Sequence, residues 1–399
     1  MEASRLRLGV AGLGRAFALM APTLGAHPRV ELVAAADPRA EARERFVAEF
    51  GGTAHATVDA LCGDPAVDAI YVATPHPLHA AHAIAAARAG KHVLVEKPMA
   101  LTLADCDAMI AAARRAGVAL VVGPSHSADA PVRRARALIR GGAYGRLRMI
   151  TALAFTDFVY RPRHAGELDA AQGGGAVYSQ AAHQIDVVRH LAGGCARSLR
   201  ATAGAWDAAR RIDGAYAAFM TFGDGVAATL TYSGYAHFDS DELCGWTGEM
   251  GHAKDRARHS GARAAVGAAG TAAEAALRQA RMYGATGAVA GPPAAHPQFG
   301  LVIASCEGAD LRPGPHGVTV YDDRGERLDP LPAPGLARAD IVDELCDAIG
   351  GKRPAVHTGE WGRATLEACL AILASARENR EIALERQVAL PQPPHAKEP

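Results

Sequence analysis

The sequence predicts an α/β protein. A doubly wound parallel sheet is expected in residues 1–124, followed over 125–399 by an α+β domain with a mainly antiparallel sheet. Three observations carry this. Short apolar runs alternate with helical patterns as far as Gly123-Pro124. A glycine turn, Gly12-Leu13-Gly14, follows the first run and opens a helix. Beyond residue 124, β-branched and aromatic runs succeed one another through tight turns such as Gly223-Asp224-Gly225, which favours antiparallel pairing.

In chain order, 6–11 is the first apolar strand, and helical spacing runs on from the glycine turn through Leu19 and Leu24. Residues 30–36 form a second strand that ends at Asp37, and 40–50 is helical. A strand at 69–73 stops at Thr74-Pro75, and 79–89 is an alanine-rich helix. The strand from His92 runs into Glu96-Lys97-Pro98. A helix over 103–116 and a strand over 118–123 complete the first part. In the second part, 131–139 reads as helix, 147–158 as strand, 160–174 as a polar loop and 177–191 as an amphipathic helix. Strands are expected at 199–206, 216–222, 226–235, 301–306 and 318–321. The segment 251–291, rich in Ala, Gly and Arg, reads as a helical or mobile insertion. Residues 341–349 and 363–376 are amphipathic helices, and the tail 390–399, with Gln392-Pro393-Pro394, is expected to be disordered.

A chain of 399 residues accommodates two domains. Its 42 Lys+Arg balance 42 Asp+Glu, so no broad cationic face for nucleic acid is implied. No signal peptide and no bilayer-length apolar run is seen. The 7 cysteines include no CxxC pair, which suits reduced thiols in the cytoplasm.

Two places carry chemistry. At the glycine turn, Gly12 allows the tight bend and Gly14 lets backbone approach a pyrophosphate at the positive end of the helix. The third position of that pattern is Phe17. Asp37, about 20 residues on, suits the two ribose hydroxyls and repels a 2′-phosphate, which favours NAD. Arg39 beside it is suited to a 2′-phosphate, so NADP stays open; the plainer role of Asp37 is a helix cap. At the second place, Lys97 stands at the carboxyl end of a buried strand, where ligands of parallel sheets collect. Pro98 restricts it to an extended conformation. A buried lysine there can exchange a proton with substrate; the plainer role is a surface ion pair.

Gly12-Leu13-Gly14-Arg15, Ala73-Thr74-Pro75-His76 with His79, Glu96-Lys97-Pro98, and Gly173-Gly174-Gly175 with His183 and Asp186 together mark a family. In them the chain resembles the glucose-fructose oxidoreductase / inositol dehydrogenase / MocA (Gfo/Idh/MocA) family over nearly its whole length. The resemblance implies a Rossmann domain followed by a domain with a large open sheet, and a dehydrogenase with Lys97 as catalytic residue. It also implies cofactor contacts from Gly12, Leu13, Gly14, Arg15, Ala16, Asp37, Thr74, Pro75, His76, His79, Glu96 and Lys97. The family's second motif usually reads Asp-x-x-x-His; here Ser179 precedes His183, and a serine carries no charge. His76 stands where the family commonly has Asn. Within the family, residues 12–20, 159–163, 167–169, 179–184 and 237–242 resemble phthalate 4,5-cis-dihydrodiol dehydrogenases.

His183 lies one helical turn from Ser179, and its place in the second motif implies a catalytic role. Arg161 and Arg163 flank Pro162 and are suited to substrate carboxylates; the alternative is pairing with Glu167 and Asp169. Ser179 and His126 are further substrate candidates. His237, Asp239 and Asp241 alternate as on one strand face, but the ligand set is thin and no metal is expected. The expected activity is NAD-dependent oxidation of a secondary alcohol, the resemblance suggesting a cis-dihydrodiol of an aromatic dicarboxylate. A sugar or cyclitol dehydrogenase is the alternative, and a non-catalytic nucleotide-sensing regulator is a reading from another class. An open sheet would leave apolar surface bare, so a homodimer or homotetramer through it is expected.

Overall fold

The computed structural model describes residues 5–163, 165–258, 261–285 and 293–391. The tail segment expected to be disordered lies, from residue 392 onward, outside the described residues. The first sheet is built from β1 (Leu6–Ala11), α1 (Arg15–Ala26), β2 (Val30–Ala36), α2 (Ala40–Phe50), β3 (Thr53–His55), α3 (Val58–Cys62), β4 (Ala69–Val72), α4 (His79–Arg88), β5 (His92–Val95), α5 (Leu103–Ala116) and β6 (Leu120–Val122). Its six strands are parallel in the order β3-β2-β1-β4-β5-β6. The order reverses between β1 and β4, which opens a crevice at their carboxyl ends. Local chemistry sets the boundaries. The Thr102 hydroxyl caps α5 by accepting from Asp105 N at 3.1 Å. Gly117, at φ +66°, ends the helix in the left-handed conformation.

The second part runs α6 (Ala130–Arg140), β7 (Leu147–Phe155), α7 (Ala182–Ala192), β8 (Ala196–Gly204), β9 (Ala215–Phe222), β10 (Ala227–Ser233), α8 (Gly261–Gln279), β11 (Leu301–Cys306), β12 (Asp310–Gly314), β13 (Gly317–Asp322), β14 (Gly325–Pro330), α9 (Ala339–Ile349), α10 (Gly359–Glu378) and β15 (Ile382–Ala383). Its nine-stranded sheet is ordered β14-β13-β12-β11-β7-β10-β9-β8-β15. All pairs are antiparallel except β7 with β10, so the sheet is mixed but mainly antiparallel. One face, with Ile150, Ala152, Leu230 and Tyr232, is buried. The opposite face is open, leaving Met149 47% and Phe219 48% exposed.

The chain then returns to the first sheet. Ile341, Val342 and Leu345 of α9 share a core with Leu8, Val10 and Phe17. Gly362 of α10 sits so close to β6 that a Cβ there would lie 2.7 Å from Val122. The segment read as an insertion forms α8, and Tyr283 beyond it packs on Phe17 with ring centroids 4.7 Å apart. Its residues 259, 260 and 286–291 lie outside the described residues. Among the described residues no helix is long and apolar enough to cross a membrane.

Candidate active site

The nucleotide end of the crevice forms at the turn after β1. Gly12 has φ +94°, and a Cβ there would lie 2.8 Å from the Ala73 carbonyl oxygen, so only glycine fits. A Cβ at Gly14 would meet nothing closer than Met282 at 3.7 Å. Gly14 caps α1 without a side-chain hydrogen bond, which leaves the first N–H groups for an anion. Leu13 is buried and Ala16 half-buried below the turn, while Arg15 donates to the Arg281 carbonyl at 3.3 Å. Phe17, at the third position of the glycine pattern, is fully buried against Phe46, Phe50 and Tyr283.

Asp37 accepts from Leu13 N at 2.8 Å and pins the turn. Its carboxylate also takes Arg39 Nε at 2.9 Å and Nη2 at 3.1 Å. Burial pushes the Asp37 carboxyl up, but the Arg39 guanidinium and the two backbone donors outweigh it and hold the group low. Asp37 is therefore ionised but already paired, so Arg39 offsets part of its repulsion for a 2′-phosphate.

Thr74, Pro75 and His76 follow β4. The Thr74 hydroxyl pairs with His82 Nδ1 at 3.0 Å, and His76 Nδ1 lies 3.3 Å from the Gly173 carbonyl oxygen. Burial pushes His76 down to about 3, so its ring is neutral. His79 was expected among the cofactor contacts, but its ring is fully buried. Its nitrogens face the Thr74 and Pro98 carbonyls at 2.7 and 2.9 Å. The ring ties the end of β4 to the Lys97 loop. Glu96 is likewise turned inward and accepts from the Tyr71 hydroxyl at 2.5 Å.

Lys97 precedes a cis peptide bond to Pro98, and its Nζ donates to the Ser179 carbonyl at 3.0 Å. Burial lowers the lysine pKa, against the opposing pull of Glu96 and Glu249. Ser179 lies in a π-helical turn, Val177–Ala181, that leads into α7. The sequence spacing implied an ordinary helix here; the wider turn changes how Ser179 and His183 stand relative to each other.

The His183 ring centroid lies 4.7 Å from that of His126 and 5.1 Å from that of Phe299. Burial drives His183 well below the usual histidine value, so it is neutral. His126 Nδ1 pairs with Asp129 at 2.7 Å, and its Nε2 lies 3.5 Å from Glu249. Burial pulls the His126 pKa down, but the Asp129 and Glu249 carboxylates push it up to about 9. Burial raises the Glu249 carboxyl, yet His126 and Arg161 hold it well below its usual range. Asp186 points away from this cluster, toward Ser127, Trp361 and His357.

Both arginines are held by carboxylates of the chain. Neither is exposed: their side chains retain 25% and 13% of their accessible surface. Arg161 binds Asp157 at 2.8 Å and lies 3.5 Å from Glu249. Arg163 binds Glu167 at 3.2 Å and stacks 4.0 Å over Phe158, while its buried Nε has no partner among the described residues. Asp169, expected as a partner, instead caps the turn at Ala171. Asp239 and Asp241 do not lie on a strand; they clasp Lys254, Asp241 at 2.9 Å.

Glu249 and Arg338 escaped the sequence reading, as did Asp157. Glu249 lies in an irregular Thr247-Gly248-Glu249-Met250-Gly251 stretch with no motif. Arg338 has φ +59° at the start of α9, and its Nη2 donates to Met250 Sδ at 3.1 Å. Sulfur is a weak acceptor, and among the described residues Arg338 forms no ion pair with a carboxylate. Its charge acts on Lys97, Glu96 and His183. An unfavourable backbone angle at a non-glycine residue was the one available signal, and only a structure shows it.

Comparison with known proteins identifies the family. Residues 6–124 match the model of the GFO/IDH/MocA oxidoreductase family, NAD-binding Rossmann fold, and 132–254 match the GFO/IDH/MocA C-terminal domain. The chain is 46% identical over 373 residues to the 1-carboxy-3-chloro-3,4-dihydroxycyclohexa-1,5-diene dehydrogenase of Comamonas testosteroni, covering 92% of this chain and 94% of that one. A crystal structure assigned as a dehydrogenase from Bordetella bronchiseptica RB50 is 41% identical with a TM-score of 0.91, covering 95% of this chain and 100% of that one. The WlbA dehydrogenase of Bordetella pertussis, solved with NADH and UDP-GlcNAcA, shares the fold at 21% identity and TM-score 0.68, covering 96% and 99%. The chain belongs to the GFO/IDH/MocA family of oxidoreductases and is an NAD-binding dehydrogenase of that family.

Proposed function

We propose that this enzyme oxidises a carboxylated cis-dihydrodiol to the corresponding catechol, with phthalate 4,5-cis-dihydrodiol as the specific candidate. The observation that carries the proposal is the half-buried Lys97 amine, held on the Ser179 carbonyl at 3.0 Å in the cleft that also contains His183 and His126. The diol class is supported by the name of the Comamonas relative. The carboxylates are supported by the guanidinium charge of Arg161, Arg163 and Arg338 around the cleft.

NAD supplies the hydride acceptor. The α1 N-terminus and Gly12-Leu13-Gly14 would hold its pyrophosphate, and Asp37 would take a ribose hydroxyl. Lys97, eased toward neutrality by burial, removes the hydroxyl proton as the carbinol carbon loses hydride. Neutral His183 accepts a hydrogen bond from the diol and orients it. Tyr71 holds Glu96 in place, and Glu96 supports the backbone N–H of Lys97 at 3.3 Å. The ketone first formed from a cyclohexadiene diol tautomerises to an aromatic catechol, which drives oxidation. A substrate panel tests this: NADH should appear with carboxylated dihydrodiols and not with myo-inositol or free sugars. Turnover of the sugars alone would reject the proposal in favour of a sugar or cyclitol dehydrogenase.

Asp37→Ala is expected to weaken NAD binding and to narrow the preference over NADP, since it removes a ribose acceptor and frees Arg39 for a 2′-phosphate. Titration of both reduced cofactors into the variant checks this. A wild type that prefers NADP by a wide margin would make Arg39 the determinant.

The half-exposed Met149 and Phe219 support assembly as a homodimer or homotetramer through the open sheet face. Sedimentation should show no monomer at working concentrations, and Phe219→Glu should release it. All seven cysteines are free, which supports a cytoplasmic enzyme.

A further inference from the structure

We propose that His126, His183 and Glu249 hold a divalent transition-metal cation. One donor atom from each lies within 4.8 Å of the other two. The three come from separate segments: the turn after β6, the first turn of α7 and the loop before α8. Two imidazoles and one carboxylate suit zinc, manganese or ferrous iron, and leave coordination positions open.

Unmet hydrogen-bonding capacity points to a ligand at this place. His126 and His183 are only 4% and 3% exposed. Among the described residues neither His126 Nε2 nor His183 Nδ1, both buried, makes a hydrogen bond, although His126 Nε2 lies 3.5 Å from Glu249. Such orphaned nitrogens are costly and call for an occupant. Asp129 supplies a further feature of metal sites. It takes His126 Nδ1 at 2.7 Å, which fixes the ring and presents Nε2 toward Glu249.

The surroundings oppose a cation in part. Lys97 and Arg338 face the cluster, and Arg161 lies 3.5 Å from Glu249. Asp157, at 2.8 Å, is the nearer partner of Arg161, and Glu249 is the more distant one at 3.5 Å. The competing occupant is a water or a substrate hydroxyl on the same two nitrogens. The proposal does not depend on which alcohol the enzyme oxidises, because cation uptake is read without turnover.

The test is calorimetric titration of Zn2+ and Mn2+ into chelator-treated, NADH-loaded full-length enzyme. One cation per chain is expected. Glu249→Gln and His183→Ala should abolish saturable uptake while NADH affinity stays unchanged. Asp129→Asn should weaken uptake by about 10–100-fold. X-ray absorption of the Zn2+-loaded wild type needs no variant, and should show two imidazole nitrogens on the metal. Absence of saturable uptake by the wild type, equal uptake by the Glu249 and His183 variants, or a zinc shell without histidine would each overturn the proposal.

Discussion

Lys97→Ala is expected to lower kcat with a carboxylated dihydrodiol by roughly 10²–10⁴-fold, the usual range for loss of a general base. NADH affinity should be unchanged, because the glycine turn and Asp37 hold the nucleotide and neither touches the Lys97 amine. The wild-type pH profile has a definite sign. The base must be neutral, so kcat/KM should rise with pH as Lys97 loses its proton. Burial lowers that pKa, so the rising limb should lie below the usual lysine value of 10.5. Steady-state kinetics across pH check both points; turnover near wild type in the alanine variant would remove the assigned role.

Replacing Arg163 and Arg338 with Gln is expected to raise KM for the carboxylated diol by roughly 10–150-fold for each lost charge-assisted hydrogen bond of ~1.5–3 kcal/mol. A dicarboxylate brings fixed negative charge into a cleft that must pair it. Among the described residues, Arg163 keeps a buried Nε without a partner, and Arg338 has only the Met250 sulfur. Arg161→Gln should behave differently. It would leave the Asp157 and Glu249 carboxylates without their guanidinium and would lower thermal stability as well as raise KM. A dicarboxylate KM untouched in the double variant, with NAD affinity normal, would show that the carboxylates bind elsewhere.

The first sheet was legible because its strands are short, buried and apolar, with glycine or proline at their ends. Strands 30–36 and 92–95 illustrate this. The strands missed lack that signal. β3 is three residues long; β12 contains Pro313; β14 is charged and lies at the sheet edge, where polar strands resist further pairing. The site was legible where one local motif fixes geometry, as at Gly12, Asp37 and Lys97. It was not legible where partners meet across the fold. Glu249 reaches His126 from 123 positions away by number, in a stretch without periodicity. Asp157, which the sequence left out of account, is the nearer carboxylate to Arg161. His79 has the place of a cofactor contact in the motif, yet its ring is buried on backbone carbonyls.

The most direct test follows the hydrogen itself. The wild type is supplied with NAD and a carboxylated cis-dihydrodiol deuterated at its carbinol carbons, and both products are analysed by mass spectrometry. One deuterium should appear in the reduced cofactor, together with an aromatic catechol carboxylate, and Lys97→Ala should suppress both. Label transfer from a deuterated cyclitol but none from the diol would contradict the account.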